Sequence, residues 1–221
     1  MKKSIWLFSF LMSMSAMTAV AQSSDLGNWW MYFGNKKLSS KFNLHHEVQY
    51  RNYNIAGDLE QLLLRAGLGY NLSENNNNIL LGYGYILSQN YVGSTDEKVD
   101  VNEHRIYQQF VTKQSFSRFS MAHRYRIEER WVEGDFRVRF RYMLNAKVAL
   151  TNPTIVAKTL YLVAYDELFI NSTGNKFDRN RLYGGLGYKA TDALSIEFGY
   201  VNQFFPVGGR DQMNIGVFWK Y

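Results

Sequence analysis

The sequence predicts an all-β protein, an up-and-down antiparallel transmembrane β-barrel of about 10–12 strands. Three observations favour this fold class. The chain starts with the layout of a signal peptide, no later segment approaches the roughly 20 continuous apolar residues of a membrane helix, and apolar and polar residues alternate through most of the remaining chain. Enrichment in tyrosine and phenylalanine, 16 and 15 of 221 residues, also favours β-structure.

Residues 1–21 are predicted to be a signal peptide, and residues 22–221 an outer-membrane β-barrel. Lys2 and Lys3 supply the positive start, an apolar stretch comes next, and a small-x-small cleavage pattern ends at Ala21. A buried amino-terminal helix is the alternative. Cleavage after Ala21 would accompany export, and together with the alternating strands it predicts the outer membrane of a Gram-negative cell as the location.

About eleven amphipathic segments make up the rest of the chain, separated by turn signals. The first is crowded with aromatic residues, and residues 41–53 show the cleanest alternation, with Leu44 and Val48 on one face and Asn43 and Glu47 on the other. Side chains two positions apart share one face of a strand. The predicted strands are residues 27–37, 41–53, 60–72, 79–88, 101–114, 119–131, 135–150, 159–171, 180–189, 194–203 and 211–221.

Eleven strands conflict with the even number of strands in single-chain bacterial barrels. Three explanations are open: two strands have been merged, one strand does not span, or the segment before the first strand starts on the outer side or threads the lumen. We expect ten or twelve spanning strands.

The connections are expected to differ between the two ends of the barrel. Residues 89–100, 172–179 and 205–210 form long or polar loops, and shorter turns separate them. Short turns at one end and longer loops at the other are the plan of bacterial outer-membrane barrels.

The last predicted strand is apolar at every second position and ends on an aromatic residue. This pattern resembles the signal that the barrel-assembly machinery reads. That machinery and outer-membrane lipids are therefore the expected partners, while the oligomeric state is left open. The residues of the expected assembly signal are Met213, Ile215, Val217, Trp219 and Tyr221.

Residues 122–144 are predicted to form a hairpin with one apolar face and one densely charged face. A two-residue turn at Glu133-Gly134, favourable with glycine at a positive φ, fixes the register. A charge that faces lipid near the midplane costs ~2–4 kcal/mol, so the charged face is predicted to line the lumen. The predicted pairs are Val132 with Asp135, Arg130 with Arg137, Glu128 with Arg139, and Arg126 with Arg141.

Most arginines of this hairpin lack a partner on the hairpin itself. Like charges directly opposite each other destabilise a sheet, so other carboxylates are expected to reach this surface. The alternation offers Glu47, Glu103 and Glu197, together with either Asp166 or Glu167. The predicted lumen charge cluster is Glu103, Arg105, Arg124, Arg126, Glu128, Arg130, Arg137, Arg139, Arg141, Glu167, Arg181 and Glu197.

The charged lumen has a structural and a functional interpretation. Narrow barrels fill their interior with side chains, and an Arg–Glu lattice fills it with polar groups that satisfy one another. The functional alternatives are an anionic ligand or a polar pore held by the excess arginine, and catalysis. We expect a structural barrel or narrow channel with no cofactor, no metal and no catalytic residue.

Several short motifs occur in a specific order along the chain. They are Glu103-His104-Arg105 with Gln108-Gln109, Arg126-x-Glu128-Glu129-Arg130, Arg137-x-Arg139-x-Arg141, Asp166-Glu167, Asn180-Arg181, an early Asn28-Trp29-Trp30 and a late Phe198-Gly199-Tyr200. This order resembles a family of bacterial outer-membrane barrel proteins classed only as a domain of unknown function. Ile106 and Tyr107 depart from that pattern, in which proline and tryptophan are expected. The resemblance spans the mature chain and implies a barrel in the outer membrane, without an assigned activity.

The competing function is a lipid-modifying outer-membrane barrel enzyme, which needs a serine and a histidine within hydrogen-bond reach. Ser120 and His123 are separated by an odd number of positions, so they are predicted to face opposite sides of one strand. His45 and Glu47 share the inward face, but two ligands without a third make a weak metal site. Basic residues that alternate into a lumen, rather than lining an open face, argue against nucleic acid as a partner.

Overall fold

The computed structural model describes residues 26–73 and 76–221, and this part of the chain is entirely β-structure and connections. The expected signal peptide lies outside the described residues. No helix long and apolar enough to cross a membrane is found in the described part of the chain. The strands are β1 (Gly27–Lys37), β2 (Phe42–Asn52), β3 (Leu59–Asn71), β4 (Asn77–Tyr91), β5 (Lys98–Phe116), β6 (Phe119–Val132), β7 (Asp135–Ala149), β8 (Thr159–Asn171), β9 (Phe177–Lys189), β10 (Leu194–Phe204) and β11 (Gly209–Lys220).

The eleven strands form a closed barrel in which every sequential pair is antiparallel. The barrel closes where β1 pairs with β11 in parallel, from Gly27 opposite Gln212 to Asn35 opposite Lys220. The predicted all-β, up-and-down barrel and the range of 10–12 strands are therefore confirmed. The expectation of an even number is wrong, because a parallel ladder satisfies the backbone groups of the two outermost strands as an antiparallel one would.

The two ends of the barrel do not differ in the way expected from the sequence. At the C-terminal end, where β11 ends, the connections are residues 38–41, 72–76, 117–118, 150–158 and 190–193. At the N-terminal end, where β1 begins, they are residues 53–58, 92–97, 133–134, 172–176 and 205–208. The strands β4, β5 and β9 continue into residues that were predicted to be polar loops, so these loops are shorter than expected. The longest connection is therefore residues 150–158, at the C-terminal end.

The period of two gives the sheet an apolar outer wall and a polar inner wall. Outward side chains such as Leu68, Leu81 and Tyr125 are about half exposed or more, at 50%, 60% and 49%. Inward Glu128 is fully buried, at 0%. This distribution is the reverse of that in a soluble globular domain, where large apolar side chains are mostly buried and charged ones exposed.

The lumen is filled differently on its two sides. The side formed by β1, β8, β9 and β10 holds an apolar cluster of Trp29, Tyr161, Val163, Tyr183 and Val201, whereas most of the buried charged residues lie on β2 to β7. Glycines on neighbouring strands make room for the tyrosines, since a Cβ atom at Gly187 would collide with the ring of Tyr161. The barrel interior is therefore packed with side chains, as expected for a narrow barrel.

Candidate functional site: the charged lumen

The β6–β7 hairpin positions the central charges of the lumen. Its turn residues Glu133 and Gly134 both have positive φ angles, 47° and 92°, as a two-residue hairpin turn of this kind requires. The predicted register is confirmed at all four pairs, including Arg130 opposite Arg137 and Arg126 opposite Arg141. In two of these pairs, an arginine therefore lies opposite another arginine across the hairpin.

Glu128 is the carboxylate that neutralises most of this hairpin. Arg139 Nη2 lies 2.6 Å from Glu128 Oε2, and Arg141 Nη1 lies 2.5 Å from Glu128 Oε1. Arg126 and Arg105 approach the same carboxylate at 3.5 and 3.9 Å. Four guanidinium groups thus surround one fully buried carboxylate, and charge-assisted hydrogen bonds of this length are among the strong ones in proteins.

Two further carboxylates reach the hairpin from other strands, as the sequence required. Glu167 on β8 accepts hydrogen bonds from Arg141 Nη2 at 2.6 Å and from Arg124 Nη2 at 2.5 Å. Glu103 on β5 accepts one from Arg130 Nη2 at 3.0 Å and one from Arg105 Nη2 at 2.8 Å. We call these residues the arginine lattice: Arg105, Arg124, Arg126, Arg130, Arg139 and Arg141 with Glu103, Glu128 and Glu167.

The choice between Asp166 and Glu167, which the sequence left open, is settled by the fold. Glu167 is the inward residue, with 3% exposure. Asp166 points out of the barrel, where its Oδ1 accepts a hydrogen bond from the Asn180 side chain at 2.5 Å.

Three residues of the predicted cluster lie apart from the lattice. Glu197 accepts hydrogen bonds from Lys147 Nζ at 2.6 Å and from the Tyr161 hydroxyl at 2.9 Å, nearer the C-terminal end. Arg137 lies at the rim with a side chain that is 55% exposed and pairs with Asp135 alone. Arg181 contacts no carboxylate in the described part of the chain, and its Nε donates to Gln203 Oε1 at 2.7 Å.

A cavity of about 160 Å³ lies beside the lattice, towards the N-terminal end. Glu103 is the carboxylate among its lining residues, and the other charged side chains that line it are arginines from six strands. We call it the arginine cavity. Its arginines are Arg51, Arg65, Arg105, Arg130, Arg139, Arg141, Arg179 and Arg181.

Three of the cavity arginines contact carboxylates that are not part of the lattice. Arg65 Nη1 lies 2.5 Å from Glu47 Oε1, and Arg179 Nε lies 2.8 Å from Asp178 Oδ2. Asp178 also accepts a hydrogen bond from Arg139 Nη1 at 3.2 Å. These contacts join β2 to β3, and β9 to the β6–β7 hairpin.

A comparison of the sequence with protein families identifies its family. Residues 26–214 match the model of a family described as protein of unknown function (DUF2490). The chain belongs to this family. It is also similar to an uncharacterized protein of Methylorubrum extorquens, with 30% identity over 164 residues that cover 71% of this chain and 69% of the relative. No solved structure matches.

The barrel of this DUF2490 chain does not bring the considered catalytic residues together. His123 Nδ1 lies 2.9 Å from the Tyr142 hydroxyl on the outer wall, whereas Ser120 Oγ lies 3.3 Å from Ser115 Oγ. His45 contacts Glu47 at 3.5 Å. Among the described residues, no group of three or more histidine, cysteine, aspartate or glutamate side chains has the spacing of a metal site.

Arg51, Arg65, Arg179 and Asp178 are site residues that the sequence reasoning missed. Arg51 carried a usable signal, because it shares a strand face with Glu47, which was predicted to be inward. Arg65 carried one as well, because it lies on the face opposite Leu64 and Ala66. Arg179 and Asp178 carried none, since they belong to a segment predicted to be a loop.

Proposed function

We propose that the protein is an outer-membrane β-barrel whose lumen is closed by the arginine lattice, so that it acts as a structural barrel. The observation that carries this proposal is the reversal of the two walls, with apolar side chains outside and paired charges inside. Lipid around the barrel would remove the outer apolar surface from contact with water, at roughly 25 cal/mol per Å². The lattice charges would then lie away from lipid. A charge that faced lipid near the midplane would cost ~2–4 kcal/mol.

Features of the outer wall support lipid as the surrounding medium. Trp30, Trp219 and Tyr221 project outwards and are 49%, 47% and 50% exposed. Aromatic side chains of this kind form girdles at membrane interfaces. The outer wall also carries an apolar groove of about 770 Å³, lined by residues that include Leu68 and Ile127. Acyl chains of outer-membrane lipids would fill this groove.

The route to the membrane follows from the same proposal. The signal peptide directs export and is cleaved after Ala21, and the barrel-assembly machinery then inserts the chain. In β11, Met213, Ile215, Val217 and Trp219 alternate with the inward Gln212, Asn214 and Gly216. This alternation supports β11 as the strand that the machinery reads.

Heat-modifiable migration on a gel tests the barrel in membranes. The full chain is expressed with its leader, the outer-membrane fraction is isolated, and boiled and unboiled samples are compared. We expect faster migration of the unboiled form, because the closed barrel resists detergent unfolding. Identical migration of the two samples, or recovery of the chain outside the outer-membrane fraction, would contradict the proposal.

Planar-bilayer conductance tests the closed lumen. We expect no steady conductance from the wild-type protein, because the lattice side chains occupy the lumen. Combining Glu128→Ala with Arg139→Ala should produce conductance, measured only on protein that keeps heat-modifiable migration. Arg137→Ala at the rim is the matched control and should stay silent. A wild-type protein that conducts as an open pore would refute the closed lumen.

A further inference from the structure

The positive charges of the lumen outnumber the negative ones around the arginine cavity. The lattice contributes six arginines, and Arg51, Arg65, Arg179 and Arg181 add four more. The carboxylates that contact this set are Glu47, Glu103, Glu128, Glu167 and Asp178. Ten guanidinium groups against five carboxylates leave an excess of five positive charges in one buried region.

The excess is concentrated on Arg51 and Arg181. Their exposures are 6% and 7%, and neither contacts a carboxylate within residues 26–73 and 76–221. The oxygens of neutral glutamines accept their hydrogen bonds instead, at 2.6 Å from Arg51 Nη2 to Gln49 and at 2.7 Å from Arg181 Nε to Gln203. An arginine does not lose its proton in a protein, and a buried charge without a counter-charge is unfavourable.

Aromatic rings hold these two arginines without using their hydrogen-bond donors. The guanidinium carbons of Arg51 and Arg181 lie 3.9 and 5.0 Å from the ring centroid of Trp29. Arg181 also lies 4.7 Å from the centroid of Phe169. Within the described residues, the two terminal nitrogens of Arg181 have no hydrogen-bond partner. Stacking therefore fixes the position of a guanidinium whose donors remain available.

We infer that the arginine cavity binds a tetrahedral oxyanion of the phosphate class. Arginines reach the cavity from six strands and so surround it from several directions. A tetrahedral oxyanion offers acceptor oxygens in all these directions, whereas a carboxylate is planar and offers them in one plane. A volume of about 160 Å³ accommodates such an ion together with ordered water.

The ion enters from the N-terminal end of the barrel. The side chains of Arg130 and Arg179 are 14% and 26% exposed, whereas those of the deeper Arg105 and Arg141 are each 5% exposed. On the deep side, Arg139 and Arg141 donate to Glu128, which lies behind them. The ligand is either free phosphate or a phosphorylated group that reaches in from a larger molecule, and the guanidinium groups recognise both by the same hydrogen bonds.

Thermal unfolding of the full chain in a non-ionic detergent tests this site, with inorganic phosphate as the probe and chloride at matched ionic strength as the control. A ligand that binds the folded state raises the Tm as its concentration rises. We expect such a rise for the wild type, a weakening of phosphate affinity by roughly tenfold or more in the Arg51→Gln/Arg181→Gln variant, and the wild-type response in Arg137→Gln. The detergent setting makes the result independent of where the barrel resides.

A second arm separates the two sources of the phosphate group. The same thermal unfolding with short-chain phosphatidic acid added to the detergent, and with short-chain phosphatidylcholine as the control, measures binding to a phosphorylated headgroup in the wild type and in the double variant. Binding that needs phosphatidic acid and both arginines identifies a headgroup as the ligand. A Tm that rises with inorganic phosphate but does not respond to phosphatidic acid identifies the free ion. Three results overturn the inference: no response to either probe, an equal response in the folded double variant, or an equal response to succinate.

Discussion

The surroundings of Glu128 and of Trp29 show two ways of burying arginine in one lumen. Around Glu128, Arg139 and Arg141 donate to a carboxylate at 2.6 and 2.5 Å. Around Trp29, Arg51 and Arg181 stack on the ring and donate to glutamines. The first arrangement is complete within the protein, whereas the second lacks an anion. Burial alone therefore does not separate a structural charge from a ligand-binding one, but the identity of the hydrogen-bond acceptor does.

The largest expected effect comes from removing the central carboxylate. Glu128→Gln removes a counter-charge that four buried guanidinium groups share, and breaking a buried ion pair costs about 3–5 kcal/mol. Urea unfolding in detergent, followed by tryptophan fluorescence, measures the change in the free energy of unfolding.

The neighbouring Glu129 is the matched control, because it points outwards and its contact to Gln108 is 3.5 Å. Glu129→Gln should change the free energy of unfolding by less than about 0.5 kcal/mol. Equal effects of the two substitutions would show that the lattice is not what stabilises the lumen.

A smaller effect is expected at the cavity, and it would sharpen the contrast with Glu128. In phosphate-free buffer, Arg51→Gln and Arg181→Gln each have two effects. Removal of an unpaired buried charge stabilises the fold, and loss of the stacking contact on Trp29 destabilises it by about 0.5–2 kcal/mol. Because the two terms oppose each other, we expect the free energy of unfolding to change by less than about 1 kcal/mol. A loss as large as that of Glu128→Gln, in the same urea experiment, would place these arginines in the structural class.

The smallest effect is expected outside the strands, where Asp58 pairs with Lys98. Burial raises the pKa of the Asp58 carboxyl, but hydrogen bonds from Lys98 and Tyr91 outweigh it, and the pKa lies below its ordinary value. A lowered pKa means that the pair stabilises the fold above the ordinary aspartate pKa of about 4 and that this stabilisation is lost as the pH falls below it.

Asp58→Asn should therefore cost less than about 1 kcal/mol at pH 7. The difference from the wild type should shrink as the pH falls below about 4, the ordinary aspartate pKa. Urea unfolding at a series of pH values checks both statements. If the difference in the free energy of unfolding grew as the pH falls, the Asp58–Lys98 pair would not be stabilising in the way proposed.

Much of the fold follows from the alternation in the sequence. The register of the β6–β7 hairpin follows from Glu133-Gly134, and the inward position of Glu47 and Glu103 follows from parity along their strands. Both follow because the side-chain period in a strand is two and because a glycine turn sets one register.

The alternation tells which face of a strand a residue is on, but not its position along the barrel axis or around the barrel wall. Glu197 therefore looked like a partner of the arginines, although strand tilt and shear place it beside Lys147. The same limit hid the lack of a carboxylate near Arg51. The strand ends were also missed, since polar residues such as Gln89 continue β4 by backbone pairing, which composition does not reveal.

The parallel pairing of β1 with β11 determines the order in which the barrel can assemble. Each antiparallel pair joins neighbours in the chain and forms locally, whereas Gly27 meets Gln212 only after the strands between them are in place. Closing so long a loop adds little entropy cost beyond that of a shorter one, because the cost grows with the logarithm of length. Until that step, however, the sheet has two unpaired edges, which attract other chains. Closure is thus a late event of high contact order, and both edges need shielding until it occurs.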